Sequence, residues 1–376
     1  MHRYPIKFIT LFFSLVFASN VLSSGVSPQQ LTEYEAFFRQ AVKDNKFPGA
    51  AFAIVSRDKI LHISTVGHTT AAGNQAIDQQ TTFRIASVSK TFAAEVVGLL
   101  VEDGSLNWDD PVTRYVPAFK INGDTSQMQI QHVLGQSTGI IPHAYDNLLE
   151  DGKSMQEIWL KMRNLPYTCA PGDCYGYQNS VFSLVEPIVQ KATSMPYNTL
   201  IEQRIFKPLD MQTASLGYQA FVSNPNHAEP HAKAKNGWRT VKVQPNYYRA
   251  APAAGVNASI LDMGKWVQAQ LGSHPRVLSS EMVGNLHKPR MRTRRQMYRK
   301  EWKSMLSNAY YGLGWRVYQV GKEQLIYHGG WVSGFRADVA FSPTRDIGIV
   351  VLLNAESSRI SELTTRFWKM ALADEA

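Results

Sequence analysis

The best-spaced pair of chemically active side chains in this sequence is a hydroxyl and an amine three residues apart, Ser87 and Lys90. They lie in Phe83-Arg84-Ile85-Ala86-Ser87-Val88-Ser89-Lys90-Thr91-Phe92. Ala93, Ala94, Val96, Val97, Leu99, Leu100 and Val101 follow before Asp103-Gly104 closes the run, so the stretch reads as a turn entering a helix. Positions i and i+3 share a helix face. The hydroxyl then feels the positive end of the helix dipole, and an amine one turn on can take its proton, which is the chemistry of an acylating serine. Ser56-Arg57-Asp58-Lys59 has the same spacing but sits between the strand-like Ala51–Val55 and Ile60–Val66. With no apolar helix behind it, that copy reads as a polar hairpin turn.

Acyl transfer by serine also needs a proton acceptor, oxyanion donors and a group for the far end of the substrate. Tyr177-Gln178-Asn179, after Ala170-Pro171-Gly172, offers two of these. A phenol near an ammonium can have a lowered pKa and serve as a base, and an amide can orient both a lysine and a substrate carbonyl. The alternative for Tyr177 is a core tyrosine with a bonded hydroxyl. Tyr145-Asp146-Asn147 repeats the pattern but reads as a loop or rim element. Ile326-Tyr327-His328-Gly329-Gly330-Trp331 closes a strand, with Gly334-Phe335 re-entering β structure. Its glycines would let an extended substrate approach the strand edge, or they form a Gly-rich turn beside a surface His328. No metal-ligand cluster and no Gly-rich phosphate loop accompany these motifs.

The elements that must position them follow from periodicity. Leu31, Tyr34, Phe37, Phe38 and Val42 mark a helix over 28–46, and the two strands of the polar hairpin come next. Helices are expected at Met128–Leu134, Trp159–Asn164, Val181–Lys191, Tyr197–Phe206 and Leu261–Leu271. Strands are expected at Gly314–Tyr318, Gln324–Tyr327, Phe335–Phe341 and Ile347–Asn354, then a last helix at Ile360–Leu372. The terminal strands can share one antiparallel sheet only if the middle is inserted. The expected fold is α/β (α+β): an antiparallel sheet flanked by helices, built from about 25–85 and 255–376, plus an all-helical lobe, about 86–254, with the active site between.

Of the 376 residues, 44% are hydrophobic and 18% charged, as in a globular protein. Arg3 and Lys7 precede an apolar run from Phe8 to Ala18 and then small residues, the pattern of a signal peptide over 1–24, so a periplasmic or secreted location is expected. The formal charge of +9 becomes +7 once Arg3 and Lys7 are removed. Much of the excess lies between Lys288 and Lys300, read as a solvated loop that could also make weak contact with an anionic envelope surface. An exported chain without a binding motif is not expected to bind nucleic acid. Cys169 and Cys174 flank Pro171-Gly172, and in an oxidising compartment they are expected to pair; two free thiols are the rival.

Jointly these motifs resemble the serine β-lactamase and penicillin-binding protein superfamily, specifically its class C branch, which includes class C-like esterases and D-alanyl-D-alanine carboxypeptidases. The resemblance runs over about residues 28–372 and includes Asp109-Asp110-Pro111-Val112, Ile205–Leu209, Asp262–Trp266 and Gly312–Trp315. It implies Ser87 as nucleophile, Lys90 and Tyr177 as the acid/base pair, Asn179, His328, Gly330 and Trp331 as substrate contacts, and the N–H groups of Ser87 and Trp331 as oxyanion hole. It also implies a cofactor-free acyl-enzyme reaction on a small molecule or peptidoglycan peptide, most simply a β-lactam or D-alanyl peptide. An ester, or penicillin binding without turnover, is the alternative. Where class C β-lactamases typically carry Lys-Thr-Gly, this chain has His328-Gly329-Gly330. A neutral His grips a carboxylate less firmly than an ammonium does.

Overall fold

The computed structural model describes residues 25–73 and 75–373; the leader expected over 1–24 lies outside them. Helix α1, Pro28–Asn45, begins at a capping box in which Ser27 and Gln30 bond reciprocally. Strands β1, Gly49–Val55, and β2, Ile60–Gly67, follow. In their connecting turn the Ser56 N–H donates to the Lys59 carbonyl, so the second Ser-x-x-Lys copy is a hairpin turn.

The chain then leaves the sheet. Helix α2, Ser89–Glu102, is followed by short helices that include Met155–Met162 and Val185–Thr193, and helix α3, Ile260–Gln270, brings the chain back. Six more strands complete the sheet: β3, Met291–Arg292; β4, Asn308–Tyr311; β5, Arg316–Val320; β6, Glu323–Val332; β7, Phe335–Ser342; and β8, Ile347–Leu353. Helix α4, Ile360–Ala371, ends the fold. The sheet runs β2-β1-β8-β7-β6-β5-β4-β3 with antiparallel pairing throughout. It is an antiparallel sheet flanked by helices, with a helical insertion between its halves.

Strands β1 and β8 read as unbroken apolar runs because both faces of the sheet are covered. Phe52, Ile54, Ile349, Val351 and Leu353 point to α1 and α4, where they meet Tyr34, Phe38, Phe367 and Trp368. Ala51, Ala53, Val55, Val350 and Leu352 point to the other core, which contains Trp266 and Val267 of α3 and the body of α2. Helix α2 is enclosed on all sides, which explains its lack of a polar face. Trp266 stacks on Phe92 at 3.9 Å and donates its indole N–H to Thr91 at 3.2 Å, fixing the first turn of α2.

Several elements differ from expectation. The helix expected over Trp159–Asn164 occupies Met155–Met162, because Ser154 and Glu157 cap it earlier. The strand expected from Gly314 starts at Arg316. Gly314 has φ 76°, and a Cβ there would lie 2.7 Å from the Lys90 carbonyl, so it serves as a turn pressed against α2. The basic stretch is not a free loop. Its residues Met291–Arg292 form the edge strand β3, and Arg294–Tyr298 a 3-10 turn anchored where the Thr293 N–H donates to the Ala309 carbonyl at 2.8 Å.

Candidate active site

From Thr81 to Leu100 every residue is buried except Ser87, which is half-buried on the floor of a cleft of about 860 Å³. It lies in a 3-10 turn, Ala86–Val88, immediately before α2. Ala86 holds φ 49°, a left-handed conformation unfavourable for a residue with a Cβ; strain of this kind concentrates at functional turns.

Lys90 is fully buried one turn further on. Its Nζ lies 2.8 Å from Asn179 Oδ1, 3.0 Å from the Ala253 carbonyl and 3.3 Å from Ser87 Oγ. It also sits 4.7 Å from the centre of the Tyr177 ring. Burial pulls its pKa down to about 7; the Asp146 charge partly opposes the shift and Arg316 adds to it. A neutral amine has two N–H groups and one lone pair. Protonated, Lys90 donates to Asn179 Oδ1, the Ala253 carbonyl and Ser87 Oγ; once it is neutral, the two carbonyl oxygens hold its N–H groups and its lone pair is free to accept the Ser87 proton.

Tyr177 sits beside this pair, as the sequence implied, but its phenol is not a ready base. Burial raises its pKa to about 12, outweighing the Arg316 charge and the hydrogen bond with Ser87. The phenol is therefore protonated at neutral pH and can give a proton but not take one. Its backbone is clamped by Gln136, whose side chain accepts from the Gln178 N–H at 2.7 Å and donates to the Gln178 carbonyl at 3.2 Å. The Cys169–Cys174 disulfide closes the loop just before it, and that loop is bonded to residues 136–139 through Thr168, Gly172 and Gly176.

Two residues of this site were not anticipated. Asp146, placed on the rim by sequence, turns inward at the start of a short helix, Asp146–Glu150. Its carboxylate accepts from Asn179 Nδ2 at 2.8 Å and pairs with His143 at 2.8 Å. Arg316 projects from β5, with its guanidinium 5.4 Å from the Tyr177 ring centre and 5.5 Å from that of Tyr311, and donates to the Tyr175 hydroxyl at 3.3 Å. Burial disfavours its charge, but a guanidinium keeps its proton throughout the neutral range. The signal for Arg316 was present: a lone cation in a strand otherwise bordered by aromatic and apolar residues.

The His328 block approaches Ser87 differently from expectation. Strand β6 pairs with β5 only as far as Tyr327, while its pairing with β7 continues to Val332. The edge beyond His328 is therefore open toward the nucleophile turn. A Cβ on Gly330 would lie 2.1 Å from the Ile85 carbonyl, so this glycine admits the protein's own backbone rather than a substrate's. His328 is fully buried. Its Nδ1 contacts the Gly329 carbonyl at 3.0 Å and its Nε2 the Tyr311 hydroxyl at 3.1 Å. Burial and the charges of Arg316 and Lys90 hold it well below its usual pKa, so it stays neutral. Gly329 and Trp331 line the cleft, whereas Arg316 supplies the cation beside Tyr177.

A serine at a strained turn, a buried lysine and a tyrosine, gathered between an antiparallel sheet and a helical insertion, are the parts that acylation of a serine requires. The Beta-lactamase family model matches residues 34–371, and the chain belongs to that family, within the serine β-lactamase and penicillin-binding protein superfamily. The chain is 26% identical over 367 residues to the protein named Beta-lactamase of Escherichia coli (strain K12), covering 88% of this chain and 91% of that one. It is 25% identical over 353 residues to Protein flp of Staphylococcus aureus (strain COL), covering 90% of this chain; it spans 65% of that relative's length. The solved octameric penicillin-binding protein homologue from Pyrococcus abyssi shares the fold, with a TM-score of 0.81 at 22% identity, covering 91% of this chain and 77% of that one.

Proposed function

We propose that this chain is an exported serine hydrolase acting through an acyl-enzyme on a carboxylated amide, a β-lactam or a D-alanyl peptide. The observation that carries the reading is the arrangement at Lys90: a buried amine with its pKa pulled down to about 7, held by Asn179 Oδ1 and the Ala253 carbonyl with its Nζ 3.3 Å from Ser87 Oγ. Ser87 Oγ attacks the carbonyl carbon while its proton passes to Lys90 Nζ. The oxyanion forms against the N–H groups of Ser87 and Trp331. As the C–N bond breaks, Tyr177 gives its proton to the departing nitrogen and is reprotonated from Lys90. Water then adds to the ester, losing a proton to Lys90, and Lys90 returns that proton to Ser87 Oγ as the acyl–oxygen bond breaks. Arg316 offers a charge for the substrate carboxylate, in place of the missing Lys and Thr of the third motif.

Labelling with a fluorescent penicillin and with a fluorophosphonate tests this reading. Wild type is expected to label and Ser87→Ala not to; equal labelling of both rejects Ser87 as nucleophile. Turnover of nitrocefin, of a D-alanyl-D-alanine peptide and of a p-nitrophenyl ester then separates the substrate classes. The buried, neutral His328 favours an ester as the second reading, and one equivalent of bound penicillin without turnover would indicate a binding scaffold. Export through the 1–24 leader is tested by N-terminal sequencing of the mature protein.

A further inference from the structure

The segment Lys288–Lys300 carries seven basic residues and no acid. Pairing of Met291 and Arg292 with Tyr311 and Tyr310 lays it along the sheet edge nearest the cleft. Arg292, Arg294 and Arg295 thereby line the same cavity as Ser87, alongside Arg316. Among the described residues no carboxylate forms an ion pair with Arg292, Arg294 or Arg295; the nearest polar partner of Arg292 is Asn308 Oδ1 at 3.0 Å. The acids of the cleft, Asp146 and Glu150, come from the opposite lobe and are bonded to Asn179 and to Tyr247. Thr293 Oγ1, buried and also lining the cavity, has no hydrogen-bond partner.

Like charges held on one wall without counterions repel each other, and an anion entering the cleft relieves that repulsion. The cavity, about 860 Å³, lies near the upper end of the range that holds drug-sized ligands, so it has room for a substrate that extends well past the reacting bond.

We propose that the arginine wall is a second anion subsite, and that the preferred acyl substrate carries a further carboxylate remote from the scissile bond. This rests on the hydrolase reading above. The wall acts on binding, so it selects through KM and through its dependence on salt.

The test uses two chromogenic acyl substrates identical at the scissile bond, one with a distal succinyl arm and one with a butyryl arm. Wild type is expected to prefer the succinyl substrate by roughly tenfold in kcat/KM at low ionic strength, with the preference fading as salt rises. In R294Q/R295Q the ratio is expected to fall toward one through KM, and in R294E/R295E to invert, which an unfolded variant cannot do. If wild type shows no preference, or the variants keep it, the proposal falls while the hydrolase reading stands. If wild type neither labels with fluorophosphonate nor turns over either substrate, the hydrolase reading itself falls. Loss of binding to anionic phosphatidylglycerol vesicles in R294Q/R295Q, with selectivity unchanged, would assign the charges to a surface and overturn the subsite.

Discussion

Asn179 bridges Lys90 and Asp146: its carbonyl accepts from the amine at 2.8 Å and its amide donates to the carboxylate at 2.8 Å. The carboxylate acts on the base from two bonds away, through orientation and through charge.

Asp146→Asn removes the charge that raises the Lys90 pKa, so that pKa falls further. The acid limb of the kcat/KM profile is expected to move to lower pH. Losing a charged hydrogen bond that orients Asn179 is expected to reduce kcat on the order of 10- to 100-fold. A pH–rate profile checks both, because a merely structural defect lowers the rate without moving the limb.

Wild-type activity is expected to rise as pH passes about 7, where Lys90 becomes neutral. The same shift has a stability cost. An unfolded lysine titrates near 10.5, so between pH 7 and 10.5 the unfolded chain holds a proton the native chain lacks, and native stability climbs with pH across that window. Below pH 7 the full penalty, a few kcal/mol, applies. Lys90→Met is therefore expected to compare more favourably with wild type at pH 6 than at pH 9, as read by paired thermal melts.

Glu95 has the opposite sign. It is buried in α2, accepts from Gln270 at 2.7 Å, and burial raises its pKa to about 8. The native chain keeps a proton that the unfolded chain loses above about 4.5, so stability falls from pH 4.5 to 8. Glu95→Gln is expected to raise Tm by several degrees at pH 8 and by little at pH 5. Equal gains at both pH values would contradict a neutral buried carboxyl.

Gly330→Ala places a Cβ 2.1 Å from the Ile85 carbonyl, an overlap only backbone movement can relieve. It is expected to cost about 1–3 kcal/mol of stability. By separating β6 from the Ser87 turn it should also slow fluorophosphonate labelling by about 100-fold. Denaturant melts and labelling rates measure the two effects separately.

The parts of the site readable from sequence were those with a local signature. Ser87 and Lys90 announce themselves through the apolar run of α2, and Tyr177 and Asn179 through spacing and the loop before them. Asp146 and Arg316 have no such neighbourhood: each is a single charge whose role comes from side chains far away in the chain. The arginine segment was read as a loop because strand β3 is two residues long and is defined by backbone pairing rather than by alternating side chains. Within the sheet, β1 and β8 were legible as apolar runs, whereas β4, Asn308–Tyr311, mixes polar and aromatic residues and was missed. The phenol pKa was misjudged because burial outweighs a nearby cation, and burial is a tertiary property.

Ala50 pairs with Leu353, so a strand near the start of the chain closes against one near its end. Contacts of such long range slow folding. As the ribosome releases the chain, β1 waits for β8 while the whole helical insertion is made. A product stopped before Ile347 would leave β1 and β7 each with a bare edge, open to pairing with other chains. Late closure keeps the polypeptide in an open state until β8 has been made.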